Sequence, residues 1–239
     1  QLLLNGLTTV SADAARALVG FEGSMLHLDG LTTLTAETAG ILAGSKRWTG
    51  RLPGMTSLPA DVALELANFK GAGLRLDGLA TLSPESAAGL AQFEGKWLYL
   101  GGLATLSADA AAALVQFRGK GLYLRGLTAI PSDAARKLAA YAAWDGQLPG
   151  ITAFEAGDSV EVATALAERK GMLSMPNLQR ISPRTLTALI QKKDVDIPLL
   201  DSLEIIPEPD GGASEDFVIP DGFLEWQKQR LHRSRPQRE

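Results

Sequence analysis

Apolar residues in this chain alternate in short runs and then recur at helical spacing, and the pair of patterns repeats. The run Leu74-Arg75-Leu76-Asp77-Gly78-Leu79 has close relatives ending at Leu7, Leu31, Leu103 and Leu127, and weaker ones ending at Met55, Ile151, Leu178 and Leu203. Those closing residues fall at 7, 31, 55, 79, 103, 127, 151, 178 and 203, so six steps are 24 residues and the last two are 27 and 25. Leu-x-Leu has period two, which predicts a short strand with one buried face. Gly follows at 6, 30, 54, 78, 102, 126 and 150 and becomes Asn177 in the eighth unit. Gly exchanging with Asn predicts a backbone position of positive φ.

The second half of each unit predicts a helix. Ser11, Thr35, Ser83, Ser107, Ser132 and Ser182 stand where an N-cap is needed, and Pro84 and Pro183 stand at first helical positions. Asp13, Glu37, Glu85 and Asp109 fall in first turns, where the helix dipole favours negative charge. Ala87, Leu90 and Phe93 then recur at helical spacing, with Ala15, Leu18, Phe21 and Ala111, Leu114, Phe117 as equivalents. Gly23, Gly71, Gly95 and Gly119 read as helix stops.

Strand, turn and helix in alternation demand parallel strands with helices packed outside them. Strands sit ~4.8 Å apart while helices need ~8–10 Å. Stacking both in register places the sheet on the inside of a curve. The expected fold class is therefore an α/β solenoid of about nine repeats, with a parallel β-sheet on the concave face and helices on the convex face. The expected organisation is a solenoid over residues 1–206, then a C-terminal cap segment and flexible basic tail over residues 207–239. Pro207, Pro209, Gly211 and Gly212 mark the change, Phe217, Phe223 and Trp226 are candidates to cover the core, and Lys228, Arg230, Arg233, Arg235 and Arg238 make the tail basic.

The unit L-x-L-x-G-L-x-x-L-S-x-[DE]-x-A-x-x-L resembles bacterial leucine-rich repeats, in particular a 24-residue variety of planctomycete-like genomes. It differs from the commoner L-x-x-L-x-L-x-x-N-x-L in placing Gly or Asn two residues after the second strand Leu. The resemblance implies an arc-shaped fold and, generically, protein binding.

A longer period overlies the first. Trp48-Thr49-Gly50-Arg51-Leu52-Pro53-Gly54 matches Trp144-Asp145-Gly146-Gln147-Leu148-Pro149-Gly150 at an offset of 96 residues, four units. In both, Gly replaces the first buried strand Leu and Trp appears two residues earlier, so the indole is expected to fill the missing volume; the alternative is a paired ligand anchor.

If the strand leucines face the core, the residues between and beside them form a surface. Its central row is Leu3, His27, Arg51, Arg75, Tyr99, Tyr123, Gln147 and Ser174. The middle of that surface gathers Arg51, Arg75, Trp97, Tyr99, Tyr123 and Arg125 in a chain with only four Trp and three Tyr. These residue types dominate interface hot spots, so the six are the expected partner-binding residues. Asp29 and Asp77 are expected to pair with nearby arginines.

Composition removes several alternatives. A net charge of -4 gives no general electrostatic case for nucleic acid or an anionic membrane. No apolar run approaches the ~18 residues of a spanning helix. There is no Cys and there are only two His, His27 and His232, which leaves no basis for a zinc site. Gly119-Lys120-Gly121 lacks the rest of a phosphate loop. The expectation is a non-enzyme without catalytic, cofactor or metal residues that binds a protein or peptide. The alternatives are a structural scaffold, or the recognition arm of a larger enzyme or immune-type sensor. Because position 1 is Gln and no cap precedes Leu2, the first repeat is also expected to stack on another segment or domain.

Overall fold

The computed structural model describes residues 1–208, 223–225 and 227. In its first part β1 (Leu2–Leu3), α1 (Ala12–Val19), β2 (Leu26–His27), α2 (Ala36–Ala43) and α3 (Ala60–Leu66) follow one another. The middle holds β3 (Gly73–Arg75), α4 (Pro84–Ala91), β4 (Trp97–Tyr99), α5 (Ala108–Leu114), β5 (Gly121–Tyr123) and α6 (Ser132–Ala140). The last part holds α7 (Ser159–Ala167), β6 (Leu173–Ser174), β7 (Arg180–Ile181), α8 (Pro183–Ile190), β8 (Val195–Asp196), a 3-10 helix (Leu200–Ser202) and β9 (Glu204–Ile205).

The expected arc with one concave sheet of about nine strands does not form. The strands gather instead in four separate parallel sheets of two or three strands, β1-β2, β3-β4-β5, β6-β8 and β7-β9. Between the first sheets only single bridges occur, Leu26 to Trp48 and Arg51 to Arg75, and beyond β5 Leu122 to Trp144 and Gln147 to Ser174. The physical reason lies in the two tryptophan units. Gly50 and Gly146 adopt φ of 70° and 71°, outside the β region, so the ladder breaks at each. The end departs differently. Leu173 pairs with Val195, a step of 22 rather than 25, and the extra residues before Leu203 are taken up by the 3-10 helix.

Within the sheets the pairing is regular. Leu2 opposes Leu26, and Gly73, Leu74 and Arg75 oppose Trp97, Leu98 and Tyr99, which in turn oppose Gly121, Leu122 and Tyr123. Each of these steps is 24 residues. Consecutive helices from α1 to α8 pack on one another. Leu74, Leu76, Leu98, Leu100, Leu122 and Leu124 are fully buried and join helix residues such as Ala87, Leu90, Ala111 and Leu114 in one core.

The turn glycines are not at positive φ, correcting the sequence expectation; among the described residues only Gly50, Gly146 and Gly171 are. The reason for glycine is close approach. A Cβ at Gly30, Gly54, Gly78, Gly102, Gly126 or Gly150 would lie 2.0–2.7 Å from a carbonyl oxygen of the preceding unit. Asn177 occupies this position where the spacing widens, and its Nδ2 donates to the Pro149 carbonyl at 2.9 Å. Gly23, Gly71, Gly95 and Gly119 likewise make room: a Cβ there would lie 2.0–2.2 Å from the ring of the phenylalanine two residues earlier. Phe69, Phe93 and Phe117 stack along the core with centroids 6.4 and 6.1 Å apart.

Ser11, Thr35, Ser83 and Ser107 cap their helices, each accepting from the N–H three residues on. Ser132 and Ser182 do not. The next unit supplies the missing acceptors. Asp158 Oδ2 accepts from Ser132 N at 3.2 Å, and Glu208 Oε1 accepts from Arg184 N at 2.8 Å.

Trp48 and Trp144 are buried, as the compensation reading expects, and each bridges the strand leucine of the preceding unit. Trp48 packs on Phe69 with centroids 4.8 Å apart, whereas Trp144 lies under the buried Arg169 guanidinium at 4.9 Å. That guanidinium donates to the carbonyls of Met172, Tyr141 and Trp144, and Lys192 Nζ donates to the Arg169 carbonyl. Burial lowers the pKa of both cations, with Asp145 opposing the shift at Arg169 and Asp194 opposing it at Lys192.

Toward the C-terminus Phe223 is buried against the core, and Gln227 Nε2 donates to the Pro198 carbonyl at 3.0 Å. Phe217, Trp226 and the basic tail from Lys228 lie outside the described residues.

The turn contacts make a direct prediction. Gly102→Ala places a methyl 2.1 Å from the Asp77 carbonyl oxygen, whereas Gly6 has nothing within 4 Å. Gly102→Ala is expected to cost about 1–3 kcal/mol in urea unfolding. Gly6→Ala should stay within about 0.5 kcal/mol.

Candidate functional site: an arginine–tyrosine ladder on the central sheet

The three-stranded sheet holds four of the six expected partner-binding residues, and Arg125 in the turn after β5 joins them in mutual contact. In-register pairing sets Arg75, Tyr99 and Tyr123 side by side on β3, β4 and β5. Neighbouring strands are ~4.8 Å apart, which is also a good stacking distance for aromatic rings. Tyr99 and Tyr123 accordingly stack with centroids 4.5 Å apart and planes 6° from parallel. The Arg75 guanidinium covers the other face of Tyr99 at 4.0 Å, and Arg125 lies 5.5 Å from the Tyr123 ring. The result is an unbroken Arg–Tyr–Tyr–Arg ladder.

Trp97 has a different part. Its indole is tilted 48° to Tyr123 at 6.3 Å, and a Cβ on Gly121 would lie 2.8 Å from it. Trp97 therefore roofs Gly121 and supports Tyr123 from the side, while remaining half-buried itself. Arg51 does not touch a ring. It bridges Arg75 through the backbone, which sets two cations side by side, an arrangement that is unfavourable unless relieved.

Three aspartates supply the relief. Arg51 Nε lies 3.5 Å from Asp29, Arg75 Nη1 3.7 Å from Asp77 and Arg125 Nε 3.1 Å from Asp145. The arginine side chains are 43–56% exposed, so these pairs orient the guanidiniums and contribute little stability. Asp77 Oδ1 also accepts from Gly101 N at 2.9 Å. The pairings of Asp29 and Asp77 match the sequence expectation. Asp145 was not anticipated, although its place beside the central row was a usable signal.

The ends of the row are less alike than the sequence pattern implies. His27 is bonded to the exposed Gln1 side chain at 3.0 Å. Ser174 is buried rather than on the surface, because β8 covers it and Asp196 Oδ2 accepts its hydroxyl at 3.0 Å. Among the described residues no group of three or more His, Cys, Asp or Glu is placed to hold a metal ion. None of their helices is long and apolar enough to cross a membrane.

Ring faces in the ladder are occupied by one another and by arginine. What the surface offers outward is ring edges, phenol hydroxyls and guanidinium N–H groups, which suits hydrogen bonding combined with apolar contact. Burial, then Tyr99 and Asp145, raise the Tyr123 pKa, with Arg125 opposing. Burial also raises that of Tyr141, whose hydroxyl donates to the Phe117 carbonyl.

A raised phenol pKa keeps its proton in the folded state after the unfolded chain has lost it. The stability it contributes is complete below pH about 10 and falls as pH rises beyond that. Urea unfolding should show such a decline, made shallower by Tyr141→Phe. In a phenolate absorbance titration, Tyr123→Phe and Tyr141→Phe should each remove a component lying above the ordinary tyrosine range. The sequence matches no protein-family model and no curated protein.

Proposed function

We propose that the chain is a recognition module that takes a partner protein or peptide on the face of β3, β4 and β5. The observation that carries this reading is the Arg75–Tyr99–Tyr123–Arg125 ladder. Tyr and Arg are the residue types that supply most binding energy at interfaces. Here they are already immobilised by stacking and ion pairing, so a partner would not have to order them on binding. A ladder serving stability alone would gain from burial, yet its two arginines are about half exposed, at 43% and 56%.

Selection of binding peptides from a displayed library, followed by affinity measurement, tests this reading. Tyr99→Ala with Tyr123→Ala should weaken selected peptides by more than about tenfold while leaving a cooperative thermal transition. A loss of stability with unchanged peptide affinity would count against it.

A second reading, a scaffold that stacks through its first unit, has one observation in its favour. Leu2, Leu4 and Leu18 are only half-buried, whereas Leu26, Leu28 and Leu42, their counterparts 24 residues on, are fully buried. Leu3 and Leu7 beside them are exposed at 59% and 38%. Light scattering would show mass rising with concentration if this end self-associates. A constant monomer mass would remove that form of the idea.

A further inference from the structure

The loops entering the strands carry a second repeated signal, in charge rather than hydropathy. Lys46, Arg47, Lys70, Lys96, Arg118 and Lys120 all lie in the segments that lead from α2, α3, α4 and α5 to the following strand or bridge, and all are exposed. The loops are stacked by their own backbones: Lys96 N donates to the Ala72 carbonyl and Lys120 N to the Lys96 carbonyl, each at 2.7 Å. Lys96 and Lys120 are therefore held side by side where β4 and β5 begin, Lys70 and Arg118 stand one 24-residue step either side of Glu94, and Lys46 and Arg47 lie across the break at Gly50. Among the described residues only Lys70 of these six has a carboxylate within ion-pairing reach, Glu94 at 3.2 Å. The opposite ends of the helices are acidic, with Asp13, Glu37, Asp61, Glu85, Asp109, Asp133 and Glu161 in first turns. Of these carboxylates Asp13 and Glu37 are paired with Arg16 and Asp133 with Arg136, and the net charge of the chain is -4.

Helix dipoles do not account for the cations. A favourable interaction with a helix C-terminus is confined to about the last turn, and α2, α3, α4 and α5 have no basic residue there. The edge is also continuous with the ladder. Lys96 is followed by Trp97 and Tyr99, and Lys120 by Gly121 and Tyr123, so about 10 Å of strand separates each lysine from its tyrosine. Across that distance the surface changes from lysines without an ion-pair partner among the described residues to a charge-balanced aromatic face, each arginine there having its aspartate.

We propose that the edge formed by Lys46, Arg47, Lys70, Lys96, Arg118 and Lys120 receives an acidic segment of the partner, whose adjoining residues lie across Tyr99 and Tyr123. This rests on the sheet face being the recognition surface. Charge complementarity selects the acidic segment. A single-stranded nucleic acid fits less well, because base binding needs open ring faces for stacking and those of Tyr99 and Tyr123 are occupied.

The test uses the full chain and fluorescein-labelled peptides of about 12 residues, which span about 40 Å extended. They alternate Gly with Glu, Gln or Lys, and an oligothymidylate of similar reach is a fourth probe. The Glu peptide is expected to bind tightest and to weaken roughly tenfold or more between about 50 and 500 mM salt. Lys96→Glu with Lys120→Glu should abolish most of that binding, and Lys96→Gln with Lys120→Gln should lose an intermediate share, with circular dichroism unchanged in both. Equal binding of the Gln peptide, tighter binding of oligothymidylate, indifference to both lysine variants, or no binding of the Glu peptide would each overturn the proposal. The two readings separate through the library-selected peptides. If those depend on Tyr99 and Tyr123 but not on the lysines, the face stands and the edge falls. If the Glu peptide depends on the lysines and no selected peptide depends on the tyrosines, the edge stands alone and the sheet-face reading fails.

Discussion

The structure depends on how closely one turn can approach the next. A carbonyl of each early unit lies where a side chain of the following turn would otherwise be, and only glycine leaves that space. The contact holds consecutive turns at strand spacing, and the parallel pairs of β1-β2 and β3-β4-β5 follow from it. On the other side of each unit the same economy of volume recurs in α3, α4 and α5, whose packed faces use Ala63, Gly89 and Ala111 beside Leu66, Leu90 and Leu114. Larger residues there would push neighbouring helices apart while the turns held the strands together.

The ladder is a consequence of that register. When pairing advances by a constant step, each residue type set into the repeat becomes a column, and its side chains meet their own kind or their chosen complement. Arg75, Tyr99 and Tyr123 need no further device to stack, because the backbone has brought them to the distance at which rings attract. Glycines at 73 and 121 leave room beside the rings of Tyr99 and Tyr123, where a Cβ would come within 3.5 and 3.1 Å.

Much of this was legible in the amino-acid order. Period two assigned Leu74 and Leu76 to the core and Arg75 to the surface, and the 24-residue step put Tyr99 beside Tyr123. The continuity of the sheet was not legible. It hung on the backbone torsions of Gly50 and Gly146, and a missing leucine does not reveal a positive φ. The turn glycines misled for a related reason. Asn177 suggested a torsional requirement, whereas the actual constraint is a carbonyl about 25 residues upstream that is adjacent only after stacking. The last unit was misplaced because Leu203 keeps the turn position while Val195, not Pro198, takes the strand position. Ser174 looked exposed by parity and is buried by β8, which the pattern had set three residues later.

The borrowed caps tie folding of one unit to the presence of the next. The first turns of α6 and α8 are completed by carboxylates that arrive 26 and 24 residues later, from Asp158 and Glu208. A helix capped by its own serine is closed as soon as it forms. One closed from downstream stays frayed until the following segment has docked. Local opening should therefore be unequal along the chain: amides in the first turn of α6 exchange with solvent at a rate set by the docking of α7, whereas those of α4 and α5 answer to their own caps. The chain's cooperativity thus runs from its later units back to its earlier ones at these two seams.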